Sequence, residues 1–456
     1  MFGLVTEVRA LARRTGSAFF PWHEIDQAWR RGLSVFLVDG LFIALSAAFV
    51  GTFIPLFALG MGATGAQVGL LTSLAGAASI AGNALGGPVV RRLNTAASPD
   101  GGRKRAALYF GRIEDTASMV LVIAIPFFFG GPAAVQALLI VQTIRSFLGS
   151  IGTPAWAAFV PMIVPLRIRG RYMSLRSMIQ VGCSVVAVPA AGFIITGLHG
   201  YPTGYQASFL ISMALGLTAA FFFSRIPLPH ANDEEQRVPA DSNAAGKVTV
   251  HTGRREWRSP FGRFMLGAFV WTVSSAVAGP FYVVFMTQGL GLKARDIGLL
   301  ASFATAAQLV GYALLGRYVD RRGSRLVVVL SALGLAIVPL GWLLVKNWWA
   351  ILPLHVLAGV ATAGYGLASF NLLLEVTPEN GRASYTGAYY TLLAVAATIA
   401  PLVGSWLFRL HGFPSTLAVT GIASLFAAAL FGVLFWGGPA WRTRLRGGDS
   451  LGAAVP

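Results

Sequence analysis

Charge is what this chain has least of. Asp, Glu, Lys and Arg make up 11% of its 456 residues, against about 25% in a soluble globular domain. So few charges cannot clothe a water-facing surface of this size, which excludes an ordinary cytosolic enzyme and a disordered chain. Cysteine is nearly absent. Cys183 stands alone, which excludes an internal disulfide, a secreted disulfide scaffold and any cysteine-cluster metal site. Two chemical signatures are missing as well: Gly-x-x-x-x-Gly-Lys-Ser/Thr and His-Glu-x-x-His do not occur, so neither an ATPase loop nor that zinc-hydrolase signature can be assembled. No compact apolar core precedes a small-residue cleavage site in residues 1–32, which read as a cytoplasmic segment and not as a cleavable signal peptide.

Apolar residues are abundant instead, 55% of the chain, with a mean hydropathy of +0.68. That balance is the mark of a polytopic membrane protein. A crossing helix needs about 20 mostly apolar residues. Twelve stretches qualify: 33–59, 66–90, 106–130, 133–162, 173–197, 205–226, 261–288, 295–319, 325–345, 348–375, 383–408 and 414–437. The 54 glycines and 23 prolines would break soluble helices but are tolerated in bundled membrane helices.

The basic residues give an orientation. With the N-terminus inside, 29 of the 35 Lys and Arg fall in cytoplasmic segments, Arg176 counted among them, and 4 fall in outer loops. Arg112 and Arg145 remain within spans. That asymmetry places both termini in the cytoplasm and accounts for the formal charge of +18 without nucleic acid. Residues 20–31, with Trp22, Trp29, Arg30 and Arg31, read as a short interfacial helix or a simple anchor. The resulting organisation is a cytoplasmic N-terminal segment (1–32), a six-helix bundle (33–226), a polar linker (227–259), a second six-helix bundle (260–437) and a cytoplasmic tail (438–456).

The halves repeat. Shifted by 229 positions, Gly69–Arg92 lies on Gly298–Arg321 without a gap, and 13 of 24 positions are identical, Gly69, Gly82, Gly87 and Arg92 among them. Gly170-Arg171 before the fifth span echoes Gly381-Arg382 before the eleventh, and Pro189-x-x-Gly192 echoes Pro401-x-x-Gly404. Matching spans share an orientation, so the fold class is an all-α membrane protein of twelve transmembrane helices in two parallel-repeat six-helix bundles. A substrate path between such halves follows.

Gly316-Arg317-Tyr318-Val319-Asp320-Arg321-Arg322-Gly323-Ser324-Arg325 resembles the Gly-x-x-x-Asp-Arg-x-Gly-x-Arg loop signature of the major facilitator superfamily of secondary transporters. That family carries its stronger copy in the 2–3 loop. Here Gly87 and Arg92 persist at that place, but Arg91 stands at the Asp position and Asn94 at the Gly position. Arg145-Ser146-Phe147-Leu148-Gly149 is similar to the family's Arg-x-x-x-Gly motif, linked in proton-coupled members to proton movement. Val188-Pro189-Ala190-Ala191-Gly192 is a degraded version of the antiporters' Gly-Pro-x-x-Gly-Gly element. The resemblance spans about residues 33–437 and implies alternating access about a central site.

Charges within spans are costly and are functional candidates by default. Asp39, Arg112, Glu114, Asp115 and Arg145 lie in the first half; His355 lies in the second. Asp39 reads either as a protonatable carboxylate on the path or as a fixed ion pair, with Arg112 one candidate partner. Arg145 either binds an anion or tunes a carboxylate, since a guanidinium keeps its proton, or bonds helix to helix. Arg112, Glu114 and Asp115 read as an ion-pair network or a gate. His355 could titrate near neutral pH, or simply pack. The resemblance places spans one, four, seven and ten around the cavity, helped by two, five, eight and eleven, which nominates Gln142, Trp156, Gln180, Trp271, Tyr282, Gln308, Tyr312, Tyr365, Asn371 and Tyr389. Gly316, Asp320, Arg321, Gly323 and Arg325 read as a conformational latch, or as positive-inside anchoring.

The function these features favour is secondary transport, with proton-coupled export of a small amphipathic compound first and proton symport of a small solute second. A non-transporting receptor or scaffold on the same fold is the reading from another class. The partners implied are a small-molecule substrate, a proton and the lipid bilayer of the inner (plasma) membrane, for a monomer without cofactor, metal or nucleic acid.

Overall fold

In the computed structural model, residues 27–94, 101–227, 259–377 and 382–436 are described, and they contain helices but no strands. With no water to satisfy backbone groups in a bilayer core, closing every hydrogen bond within the helix is the solution open to such apolar stretches. The elements are α1 (Gln27–Ala48), α2 (Ile54–Gly60), α3 (Gly65–Leu93), α4 (Gly101–Leu108), a π-helical turn (Tyr109–Ile113), α5 (Glu114–Phe128), α6 (Gly131–Ile163), α7 (Leu166–Gly197) and α8 (Thr203–Ser224). There follow α9 (Pro260–Ala276), α10 (Phe281–Val284), a second π-helical turn (Phe285–Gly289), α11 (Ala294–Arg322), α12 (Ser324–Trp342), α13 (Trp348–Val376) and α14 (Arg382–Trp436).

Among the described residues ten helices are individually long and apolar enough to cross a membrane, against twelve predicted stretches. Two features account for the difference. The third stretch is a helical run cut into α4, the π turn and α5. The eleventh and twelfth run on as α14, bent at Gly412, whose φ of 76° lies in the left-handed region that glycine enters without steric cost. The first span is also two pieces, α1 and α2, and the seventh is α9, α10 and a π turn. These breaks repeat: α1 ends at Ala48 and α9 at Ala276, 228 residues on, against the sequence offset of 229. Trp29, Arg30 and Arg31 are already part of α1, which corrects their assignment to an interfacial helix; residues 20–26 of that segment, 228–258 of the predicted linker and the tail from 438 lie outside the described residues.

Contacts divide the chain into two compact units, Met1–Asp241 with Pro280–Ala306, and Ser242–Gly279 with Ala307–Pro456. In the first, α3 packs along α6, and α1 packs on α7 and α8. Phe36, Phe159, Tyr172 and Phe223 form its core. In the second, α9 packs along α14, and α12 on α13 and α14, around Phe264, Trp271, Tyr389 and Phe431. Small residues let backbones meet. A Cβ on Gly82 of α3 would collide with Phe147 O and Ser150 Oγ of α6, and one on Gly311 of α11 would lie 2.9 Å from Ala363 Cβ and 3.0 Å from Val360 Cα of α13. These glycines are repeat partners, so the internal repeat preserves a helix crossing. Buried hydroxyls tie helices together: Ser46 and Ser212 lie 2.9 Å apart, and Ser208 donates to Phe49 O at 2.7 Å.

Candidate functional site

The site is built where α1, the first π turn and α7 meet. α7 presents Tyr172, Arg176 and Gln180 at intervals of four, which puts them on one face. All three reach α1. Tyr172 Oη donates to Leu33 O at 2.6 Å, Arg176 Nη2 to Asp39 Oδ2 at 3.1 Å, and Gln180 Nε2 to Gly40 O at 3.1 Å. Gly40 makes the approach possible, because a Cβ there would stand 2.6 Å from Arg176 Nε. From the other side Arg112 grips the same carboxylate through both oxygens, Nε to Oδ1 at 2.9 Å and Nη2 to Oδ2 at 3.1 Å. The π-helical turn that carries Arg112 sits against α6, where a Cβ on Gly152 would lie 2.7 Å from Gly111 N. Such insertions into α-helices recur at functional sites.

Asp39 is 0% exposed, Arg112 9% and Arg176 5%. A buried carboxylate holding two guanidiniums satisfies its own acceptors and leaves the trio with one surplus positive charge, a costly arrangement away from water. Aromatic rings share the load: Arg176 stands 4.4 Å from the Phe36 ring centre and 5.7 Å from that of Trp156, and Arg112 5.1 Å from Phe223, distances at which ring faces attract cations.

A second cluster lies beside the first. Arg145 Nη2 meets Asp115 Oδ1 at 2.7 Å and Arg145 Nη1 donates to Gln142 Oε1 at 3.3 Å. Glu114 Oε2 and Arg145 Nε are buried and have no hydrogen-bond partner among the described residues. A cavity of about 360 Å³ opens next to these groups, with Arg112, Asp115, Thr153, Trp156, Arg176 and Gln180 as its polar wall and Ile43 and Phe110 among its apolar contacts. The Trp156 indole Nε1 is buried there without an acceptor.

The structure thus brings together Asp39, Arg112, Glu114, Asp115, Arg145, Gln142, Trp156 and Gln180 of the predicted residues. It adds Arg176 and Tyr172, which sequence reasoning missed. Arg176 was counted among the cytoplasmic basic residues; it is instead a buried partner of Asp39, because its side chain turns inward on the face shared with Tyr172 and Gln180. The predicted residues from Trp271 onward do not join this cluster. Trp271 and Tyr389 are core residues, Tyr389 stacked on Phe264 at 5.3 Å and Trp271 tilted against Tyr365 at 5.1 Å. The Tyr365 hydroxyl is buried without a partner. His355 packs on the Trp342 ring at 5.9 Å and bonds the Ile351 backbone. Gln308 donates to the exposed Tyr312 hydroxyl at 3.2 Å, while Tyr282 and Asn371 are half-buried. Around the predicted latch, Gly323 has a φ of 82°, which gives α11 and α12 their turn. Ser324 donates to Glu375 there at 2.8 Å. Arg321 and Arg325 are exposed, and Gly316 has Leu367 nearby; the Asp320 side chain lies outside the described residues.

Comparison with known proteins places this geometry in context. The family model described as Major Facilitator Superfamily matches residues 36–273 and 264–455. Relatives include a Na(+), Li(+), K(+)/H(+) antiporter of Planococcus maritimus, 27% identical over 183 residues, or 39% of this chain and 42% of that protein. A gallate transporter of Pseudomonas putida is 26% identical over 35% of each chain. The multidrug resistance protein MdtG of Dickeya zeae is 26% identical over 37% of this chain and 42% of that protein. The chain therefore spans about two fifths of the length of these curated relatives. Among solved structures, a mutant of the nucleoside transporter NupG superposes with a TM-score of 0.69 at 12% identity, covering 89% of this chain and 100% of that one. A bacterial homologue of the iron transporter ferroportin gives 0.68 at 17% identity, covering 90% and 99%. At these identities the superpositions speak for the fold.

Proposed function

This chain belongs to the major facilitator superfamily of membrane transporters, and from that premise we propose that it is a proton-coupled secondary transporter that exports a small amphipathic compound by alternating access across the inner (plasma) membrane, with both termini in the cytoplasm. The observation that carries this reading is the buried charge cluster in the first unit: Asp39 held by Arg112 and Arg176, with Arg145, Asp115 and Glu114 beside it, all next to a cavity. Charges inside a bundle in lipid are expensive and mark ion and substrate pathways.

Within the cluster the carboxylates divide the work. Both oxygens of Asp39 already accept charge-assisted hydrogen bonds, so a proton arriving there would have to displace a guanidinium. Glu114 keeps Oε2 free of any donor and has Asp115 and Arg145 as its charged neighbours. Glu114 is the better proton carrier, Arg145 and Asp115 set its field, and Asp39 organises the fold around the cavity. α8, packed against α5, contributes no charged side chain within Thr203–Ser224.

The test uses everted membrane vesicles energised by respiration, with a fluorescent probe of the pH gradient and a panel of amphipathic compounds. A transported compound is expected to dissipate the gradient. Glu114→Gln should abolish that dissipation while leaving exchange of labelled compound down its own gradient. Wild-type dissipation by Glu114→Gln would remove Glu114 from proton carriage. No dissipation by any compound, together with no exchange, would overturn the transporter reading itself.

A further inference from the structure

The cavity wall carries two guanidiniums, Arg112 and Arg176, and the Trp156 indole, against one carboxylate, Asp115. Asp39 accepts three N–H bonds, from Arg112 Nε and Nη2 and from Arg176 Nη2. Asp115, the carboxylate that lines the cavity, is committed to Arg145 at 2.7 Å. The Asp39–Arg112–Arg176 trio by itself thus carries one surplus positive charge, and Glu114, the neighbouring carboxylate with an oxygen free of donors, is not among the residues that line the cavity. That charge resides mainly on Arg176. Arg112 spends its remaining Nη1 on Gly111 O at 2.9 Å, whereas Arg176, which lines the cavity, holds Asp39 through Nη2 and has a long bond of 3.4 Å from Nε to Phe36 O. Trp156, in the same wall, has a buried indole N–H without an acceptor. Buried donors without acceptors cost free energy, and a buried charge without a counter-ion costs more. Ile43 and Phe110 supply an apolar surface alongside, and about 360 Å³ falls within the range of small-molecule sites.

We propose that this cavity is a binding site for an organic anion, a carboxylate or sulfonate carried on a planar apolar body. The anionic head accepts from the Arg176 guanidinium and Trp156 Nε1 and supplies the missing negative charge; the body lies on Ile43 and Phe110. This deepens the transporter reading above, on which it rests, by giving the substrate class a charge. An anionic lipid headgroup offers the same chemistry as a soluble anion.

The experiment measures binding alone, by thermal stabilisation and calorimetry on the purified full-length protein, so it is independent of transport. The probes are 2-naphthoate, its neutral amide and the cationic 2-naphthylmethylamine, three molecules of one shape. Naphthoate is expected to bind at least about tenfold tighter than the amide, with the amine weaker still. Trp156→Phe, which keeps the ring and removes the N–H, should weaken naphthoate about three- to tenfold without weakening the amide. Arg176→Gln should abolish the preference for the anion. Asp39→Asn, which removes the internal competitor for both guanidiniums, should tighten naphthoate binding. If Arg176→Gln fails to fold, the amide comparison and Trp156→Phe still decide. Equal affinities for the three probes, or an anion preference unchanged in Trp156→Phe, overturn the site. In nanodiscs containing phosphatidylglycerol, naphthoate binding should persist; its loss there assigns the cavity to lipid headgroups and overturns the soluble-anion proposal. A protein that exchanges substrate in vesicles but shows no anion preference leaves the transporter reading standing and this one refuted.

Discussion

At the scale of single residues the decisive feature is that one carboxylate serves two guanidiniums. Removing Asp39 leaves two buried cations facing each other, whereas removing Arg112 leaves the carboxylate with Arg176. Loss of one member of a buried pair costs about 3–5 kcal/mol, so Asp39→Asn is expected to lower stability by that order, and Arg112→Gln by less. Asp39→Asn combined with Arg112→Gln should cost less than the sum of the two, since the groups act as one network. Unfolding titrations of the purified variants check this; strict additivity would mean that the three side chains do not share an interaction. Much of this cluster was legible in the sequence, because Asp39, Arg112, Asp115 and Arg145 interrupt apolar runs. Arg176 was not, for a physical reason. It follows Arg167, Arg169 and Arg171 at the edge of its span, where positive charge is ordinary, and the spacing of four that joins it to Tyr172 and Gln180 was the signal passed over. The aromatic nominations failed to converge on one site because a Tyr or Trp is as suited to a packed core as to a cavity, and composition does not say which face of a helix it occupies.

Helices are where sequence and structure agree best and where the remaining differences concern breaks. Hydrophobic length located the crossing segments, yet it carried no sign of the turn between α1 and α2, which is as apolar as the helices around it, or of the π turn at Tyr109–Ile113, which joins the basic α4 to the largely apolar α5. Glycine placement was more informative. Gly82 and Gly311 recur at the repeat offset of 229 because each lets two backbones cross where a methyl group has no room. Gly152 does the same against the π turn that positions Arg112. Gly152→Ala is therefore expected to destabilise the protein by about 1–3 kcal/mol, the usual cost of overpacking, and to disturb the site through Arg112. Gly182→Ala in α7 is the control: nothing lies within 4 Å of its Cβ, and alanine there should be neutral or add up to about 1 kcal/mol through reduced backbone entropy. Thermal denaturation of the two variants in the same detergent checks the sign of each. A Gly152→Ala protein as stable as Gly182→Ala would mean that the crossing is looser than its geometry.

For the whole molecule, orientation follows from a physical bias independent of the fold: Lys and Arg resist translocation and collect on the cytoplasmic side. Moving Arg176 from that tally into a buried pair leaves the asymmetry intact, because the loops predicted to face outward still hold only Lys293, Arg295, Lys346 and Arg409. The lone cysteine makes the prediction simple to examine. On a Cys183→Ser background, a cysteine replacing exposed Lys346, between α12 and α13, should react with a membrane-impermeant maleimide added to intact cells. One replacing exposed Arg92, at the end of α3, should react only after the membrane is opened. The two positions are separated by an odd number of crossings in the twelve-span topology, so they must behave oppositely if the split third stretch crosses once. Labelling of both from outside, or of neither, would remove a crossing from between them and, with it, the correspondence of the two repeats.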